Sequence, residues 1–464
     1  MKIKDLIKQD VGFQYVIDNM ELMSSAGRQA MLESTFLTDS DAIEAAWRNL
    51  DEAVRATNDT ENRRSYTDLR HCLMQLHDLR GTLASLTSHT PLNEVELFEI
   101  KNLSMLCAKA SVAIEGLGLA ATLPLPSLEA VVALLDPDHT GIANFYIYDT
   151  YHPRLGPLRR ELKALQEHEG DPQRIAALMA EQNDIQAEVC LRLSDSLATH
   201  CTPLAEAMRQ MAYADYLLAQ AELCERWHLS RPHLGSDIRY VGLWNPRLRH
   251  RNEELGLRYQ PVDLSLAQGV TLITGANMAG KTVLLKSVGT AQLMAQCGFY
   301  VPADQAVTTV FDAVATSIGD EQDEMNGLSS YASEITKISD IVRRTRTERL
   351  LALIDEPART TNPVEGKALV QSIITLLEQC PSVSMVTTHY GQLGTNCRRL
   401  RVRGFVEDMA NVPLTPRNIG LFIDYSLTDD QSDDVPHEAL RIAAILGCDA
   451  ELLHLAEQNI NQKQ

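Results

Sequence analysis

The sequence predicts an α/β domain built on a parallel sheet, with an all-α region before it and a short helix-turn-helix tail after it. Three observations carry that prediction. Residues Gly275 to Thr282 read Gly-Ala-Asn-Met-Ala-Gly-Lys-Thr, directly after the apolar run 270–274 and directly before a helical pattern. Two further apolar runs, 350–354 and 383–388, lead into Asp355-Glu356 and into His389. Residues 1–235 place their apolar side chains at helical spacing.

The octapeptide has the pattern and context of a phosphate-binding loop, which makes the α/β part a P-loop NTPase domain. A loop that closes a strand and opens a helix turns its backbone N–H groups and the positive end of the helix dipole onto a nucleotide's phosphates. Gly275, Ala276, Asn277, Met278, Ala279 and Gly280 supply that backbone, and Val283 continues it into the helix. Lys281 can reach the β- and γ-phosphates, and the Thr282 hydroxyl can ligate Mg²⁺. The expected ligands are therefore ATP and Mg²⁺.

Continuous apolar runs of five or six residues suit strands buried on both faces of a parallel sheet. Ligands bind beyond the carboxyl ends of such strands, so the three loops should meet at one site. There Asp355 would hold the Mg²⁺ through water, Glu356 would orient or deprotonate the attacking water, and His389 would sense the γ-phosphate. A solvated strand end and a loop histidine are the plainer readings of these residues. The phosphate loop upstream in the same chain favours the site.

The all-α region is read from periodicity. Ile43, Trp47, Leu50 and Val54 fall on one face over 41–57, and Leu69, Leu73, Leu76, Leu79, Leu83 and Leu86 do so over 68–86, as one helix. Pro172 and Pro203 each open a long pattern, running to about Leu197 and Trp227, as expected for proline in a first helical turn. Long helices joined to a nucleotide site suggest a lever. The tail carries two short apolar-periodic stretches, 436–446 and 449–460, around Gly447-Cys448. The expected division is a helical core or lever at 1–235, an ATPase domain at 236–428 and a helical dimerisation element at 429–464.

Charge and composition narrow the partners. The formal net charge is −20, of which about −14 falls on residues 1–230. Duplex DNA is held mainly by basic contacts that release counterions, so an acidic arm disfavours a DNA clamp. Arg398, Arg399, Arg401 and Arg403 form one basic cluster, expected to line a strand or meet acidic helices. No run of eighteen apolar residues and no signal-peptide core appears, and nine cysteines lie scattered without a Cys-x-x-Cys. A cytoplasmic protein with reduced thiols and no membrane segment is expected. Gly116-Leu117-Gly118 fits part of a dinucleotide-binding pattern but follows a helical period, and the aromatic stretch 145–151 reads as a short extended core segment.

Five motifs in order resemble the MutS family of ATPases: the octapeptide, Gly298 to Ala303, Ile318-Gly319-Asp320 with Gly327 to Glu334, Asp355 to Pro363, and Thr388-His389-Tyr390. This resemblance implies an ATPase of the ABC type in which two subunits sandwich two nucleotides. It also implies that Ser329 of one subunit completes the other's site, although Ser329 or Ser330 also suits a helix cap. Tyr259 is then the nearest candidate for an adenine-stacking aromatic, or else packs on the sheet. Departures from the family pattern lie at Pro357, which stands at an apolar position, and at Ala358-Arg359-Thr360-Thr361, where Gly-Arg-Gly-Thr is usual. They are expected to change loop stiffness and turnover while keeping the carboxylates.

The part ahead of the ATPase is too short for the mismatch-reading and connector domains of mismatch-repair relatives. The segment from Asp355 to Pro363 also resembles the ATPase components of lysine 5,6-aminomutase reactivases. That likeness implies a homodimer working on a protein partner, an adenosylcobalamin-dependent aminomutase with a second reactivase subunit. Action on mismatched or branched DNA is the alternative.

Overall fold

A computed structural model describes residues 1–168, 170–275, 280–319, 330–405, 422–430, 440, 443–444 and 447–461. They gather in two compact units. One comprises Met1–Met20, Thr35–Trp47 and Leu223–Gln464; the other comprises Glu21–Ser34 and Arg48–Glu222.

The first unit holds two sheets. Its strands are β1 (His233–Leu234), β2 (Ile238–Leu243), β3 (Val262–Leu266), β4 (Gly269–Thr274), β5 (Gln305–Thr308), β6 (Ala313–Ser317), β7 (Leu350–Ile354), β8 (Val383–Thr387), β9 (Arg398–Phe405) and β10 (Ile423–Asp429). Among the described residues one sheet has the order β1-β5-β2-β3 and the other β10-β9-β4-β8-β7-β6. In the larger sheet β9, β4, β8, β7 and β6 run parallel, and β10 closes the edge antiparallel to β9. The three apolar runs are its adjacent strands β4, β8 and β7.

Burial explains why these runs are predominantly apolar and uncharged. Every residue of β7 is fully buried. On one face Val270, Leu272, Ala352 and Ile354 pack with Ile338 and Ile341 of the helix Ser330–Arg344 and with Val370, Ile374 and Leu377 of the helix Pro363–Glu378. On the other face lies the helix Lys281–Gln296, where Leu353 sits so close to Gly289 that a Cβ there would come within 2.9 Å of it. Burying one such aliphatic side chain contributes about 1.5–3 kcal/mol.

Buried amides brace that helix without orphaned polar groups. Gln292 donates to Gln296 and to the Thr309 carbonyl, and accepts from Thr308 Oγ1 at 2.6 Å. Gln296 donates to the carbonyls of Leu37 and Phe311. The chain's first residues join the same helix: Thr290 Oγ1 donates to the Val11 carbonyl at 2.6 Å, and Lys286 pairs with Asp10 at 2.9 Å. Trp47 Nε1 donates to the Ala295 carbonyl.

The second unit is helical. Helices Arg63–Met74 and Glu129–Leu135 pack on Glu94–Gly116, and Pro172–Ala198 packs on Leu155–Glu167 and Arg80–Thr87. Asp171 caps the long helix that Pro172 opens, and Asn93 with Glu96 forms a capping box. The single helix expected over 68–86 is corrected to two. The chain breaks after Met74 and restarts at Arg80, whose amide and guanidinium both bond to Asp78. A local side-chain-to-backbone bond of this kind competes with helix continuation. The apolar stripe survives the break, since Leu69, Leu73, Leu76, Leu79, Leu83 and Leu86 are all buried.

Residues 145–148 have no regular structure and lead into a 3₁₀ turn at Asp149–Tyr151. Phe145, Ile147 and Tyr148 are buried as expected, but Tyr146 is half exposed. Lys101 is fully buried beneath this segment, donating to Asp136, to the Asn144 carbonyl and to the Tyr148 hydroxyl. Burial pushes the Asp136 carboxyl up, but the Thr140 hydroxyl, the Gly141 amide and Lys101 hold it well below the usual carboxylate range.

At the tail, the helix Ala450–Asn461 matches the second expected stretch. The first, 436–446, lies mostly outside the described residues. No helix among the described residues is long and apolar enough to cross a membrane.

Candidate active site

The site grows from the carboxyl ends of β4, β7 and β8. Beyond β4 the chain passes Gly275 and re-enters the description at Gly280, whose φ of +79° caps the helix opening at Lys281. That left-handed conformation favours glycine, and a Cβ there would also come within 3.0 Å of the Tyr425 ring. Ala276, Asn277, Met278 and Ala279 lie outside the described residues, as does Ser329.

Lys281 is almost completely buried. Its Nζ donates to the Gly275 carbonyl at 2.9 Å and lies 3.2 Å from Glu356 Oε1. Thr282 Oγ1 donates to Asp355 Oδ2 at 2.7 Å. Val283 is half-buried one residue further along the helix. His389 follows β8 with its ring against Tyr390. Burial holds the His389 imidazole below its ordinary pKa, with Lys281 and Arg359 acting in the same direction and Glu356 against them. Lys281, Thr282, Asp355, Glu356 and His389 therefore gather in one place, as their strand-end positions predict.

Two side chains that sequence reasoning missed hold the segment that carries the carboxylates. Thr387, fully buried at the end of β8, donates to Asp355 Oδ1 at 2.6 Å and accepts the Glu356 amide at 2.8 Å. Tyr390 donates to the Ala358 carbonyl at 3.1 Å. Between them the chain turns sharply: Glu356 and Ala358 have φ of +42° and +61°, with Pro357 buried between them. Glu334 Oε1 accepts the Ala358 amide at 2.8 Å. The signal for Thr387 was its place as the last residue of an apolar strand.

A cavity of about 240 Å³ opens here, lined by Thr282, Gly319, Glu334, Lys337, Asp355, Glu356 and Arg359 among others. Arg359 lies 3.9 Å from Glu356. The neighbouring hydroxyl of Thr282 and carboxylate of Asp355 are hard oxygen donors, which fits Mg²⁺. Among the described residues no three His, Cys, Asp or Glu side chains form a metal cage. A Mg²⁺ ion ligated largely by phosphate and water needs none.

Tyr259 stands before β3, half-buried, with its hydroxyl accepting the Asn245 amide at 2.8 Å. The adjacent Gln260 bonds to Asp424 and to the Tyr425 amide, tying this loop to β10. Tyr425 is thus an aromatic beside Gly280 that periodicity did not announce. The arginine cluster lies on β9, where Arg398, Arg401 and Arg403 pair with Asp429, Asp430 and Asp424.

Residues 271–463 match the family MutS domain V. Over 235 residues the chain is 32% identical to the DNA mismatch repair protein MutS of Thermus thermophilus, covering 51% of this chain and 28% of that protein. Over 216 residues it is 34% identical to Endonuclease MutS2 of Agathobacter rectalis, covering 46% of this chain and 26% of that protein. The matches thus span about a quarter of the length of these relatives. Domain match and relatives together show that the C-terminal part of this chain is similar to domain V of MutS proteins.

Proposed function

We propose that this chain binds ATP at Gly275–Thr282, hydrolyses it in a composite site of a dimer, and uses the cycle to remodel a bound protein. The observation that carries the catalytic part is the convergence of Lys281, Thr282, Asp355 and Glu356 at adjoining strand ends. The backbone from Gly275 to Gly280 cradles the phosphates, and Lys281 neutralises the β- and γ-phosphate charge. Thr282 and Asp355 hold Mg²⁺, which when bound offsets charge on the same phosphates. Glu356 orients the attacking water and takes its proton. His389, kept neutral by burial, offers a hydrogen bond that distinguishes γ-phosphate from its product.

By likeness to MutS ATPases, Ser329 of the partner subunit seals each site. ATP then closes the dimer and hydrolysis releases it. Mixed dimers test this: one subunit carrying Ser329→Ala and the other Lys281→Ala should retain one working site. Activity that requires Ser329 and Lys281 in the same chain contradicts the arrangement.

Charge supports a protein partner, since the region before the ATPase is acidic and three arginines of the basic cluster are ion-paired. The likeness to reactivase ATPase components points to an adenosylcobalamin-dependent aminomutase, with the helical region as the lever. ATP-dependent recovery of an inactivated aminomutase tests it. The names of the relatives favour action on DNA as the second reading. Tight duplex or junction binding with a steep salt dependence, measured by anisotropy, would establish that reading instead.

A further inference from the structure

The turn carrying Glu356 is held by residues of two different elements. From β8 and the loop after it, Thr387 accepts the Glu356 amide and Tyr390 donates to the Ala358 carbonyl. From a second element, Glu334 in the N-terminal half of the helix Ser330–Arg344 accepts the Ala358 amide at 2.8 Å. Ala358 has no exposed surface, so without Glu334 its amide would lose this acceptor where water cannot readily replace it. Glu356 and Ala358 also keep left-handed backbone angles rare for residues other than glycine. Such a turn persists only where its surroundings hold it. Removing one hold should let Glu356 relax away from its present aim.

We propose that Glu334 is a positioning residue for hydrolysis, acting through the Ala358 amide to aim the Glu356 carboxylate. The N-terminal half of the helix Ser330–Arg344 then regulates the site: a shift there loosens Glu356 against its partner Lys281 without altering the backbone at Gly280. This inference rests on the ATPase reading. It goes beyond that reading by assigning control of the hydrolytic carboxylate to a second element, and it separates turnover from nucleotide binding.

The test compares Glu334→Ala, Glu334→Asp and Glu334→Gln with the wild-type chain. Glutamine keeps an oxygen acceptor at the same reach, whereas aspartate keeps the charge but falls short by one methylene. Glu334→Ala and Glu334→Asp are expected to lower kcat about tenfold with KM for ATP within about twofold, and Glu334→Gln to recover most of the loss. Hydrogen exchange in residues 356–361 should quicken in Ala and Asp and stay slow in Gln.

Wild-type kcat in Glu334→Ala, or failure of Gln to rescue, overturns the positioning role alone. So does unchanged exchange in both Ala and Asp. A wild-type chain that does not hydrolyse ATP overturns the ATPase reading and the positioning role with it. Should Ala fail to fold, the Asp and Gln pair decides.

Discussion

Lys281 Nζ lies 3.2 Å from Glu356 Oε1, so the cation at the start of the helix Lys281–Gln296 and the carboxylate at the end of β7 form one largely buried pair. A triphosphate bound as proposed would compete with the carboxylate for the same ammonium. Glu356→Gln keeps the shape and removes the rival charge. ATP affinity should hold or tighten by up to about tenfold, while turnover falls by about a hundredfold or more. Nucleotide titration and steady-state hydrolysis check this, and undiminished turnover would refute the role of Glu356.

Removing the other partner has a different effect. Lys281→Ala should abolish measurable ATP binding, read by equilibrium titration. It also leaves Glu356 without its nearest cation, so the melting temperature should fall. Retained ATP affinity would show that the phosphates lie elsewhere.

Thr387 serves two groups with one oxygen, donating to Asp355 and accepting from Glu356. Thr387→Val preserves shape but strands both. Urea unfolding should register a loss of about 1–3 kcal/mol, and hydrolysis should drop with it. Thr387→Ser should stay near wild type in both; a valine variant as active and stable as serine would dismiss the bridge.

His389 has a pKa lowered by burial, with Lys281 and Arg359 acting in the same direction. The unfolded chain then binds a proton more readily than the folded one. His389 thus contributes stability that is present above the unfolded histidine pKa of about 6.5 and lost as pH falls through the lower folded value. Relative to His389→Asn, the wild type should lose stability as pH drops below that point, by denaturant melts at several pH values. Parallel curves would contradict the assignment.

In the helical unit, Lys101 and Asp136 are both buried. Lys101→Met leaves a charged carboxylate without its ion partner and should cost about 3–5 kcal/mol. The double variant Lys101→Met with Asp136→Leu should recover much of that. Chemical denaturation measures both, and a harmless Lys101→Met would mean the pair carries little.

The sheet was legible because its strands are buried on both faces: 270–274, 350–354 and 383–388 carry no charged residue, are mostly apolar, and match β4, β7 and β8. Lys281, Thr282, Asp355, Glu356 and His389 were legible for the related reason that parallel strands deliver their carboxyl ends to one side. Thr387, Tyr390 and Tyr425 were not, because each acts through a contact with a distant segment that no local period records. The break between Met74 and Arg80 escaped notice since the leucine stripe continues across it unchanged. Glu334 was visible only as part of a motif; its bond to Ala358 joins residues 24 positions apart.

The sheet unit is sewn from segments far apart in the chain, with Gln9 bonding Val314 and Asp10 bonding Lys286 across separations of 305 and 276 residues. During synthesis these opening residues must wait for the sheet to emerge before they can dock. Such long-range closure slows folding and lengthens the time that apolar strands stand unprotected. Deleting the first twenty residues would consequently injure the sheet unit, though every motif of that unit lies more than two hundred residues downstream.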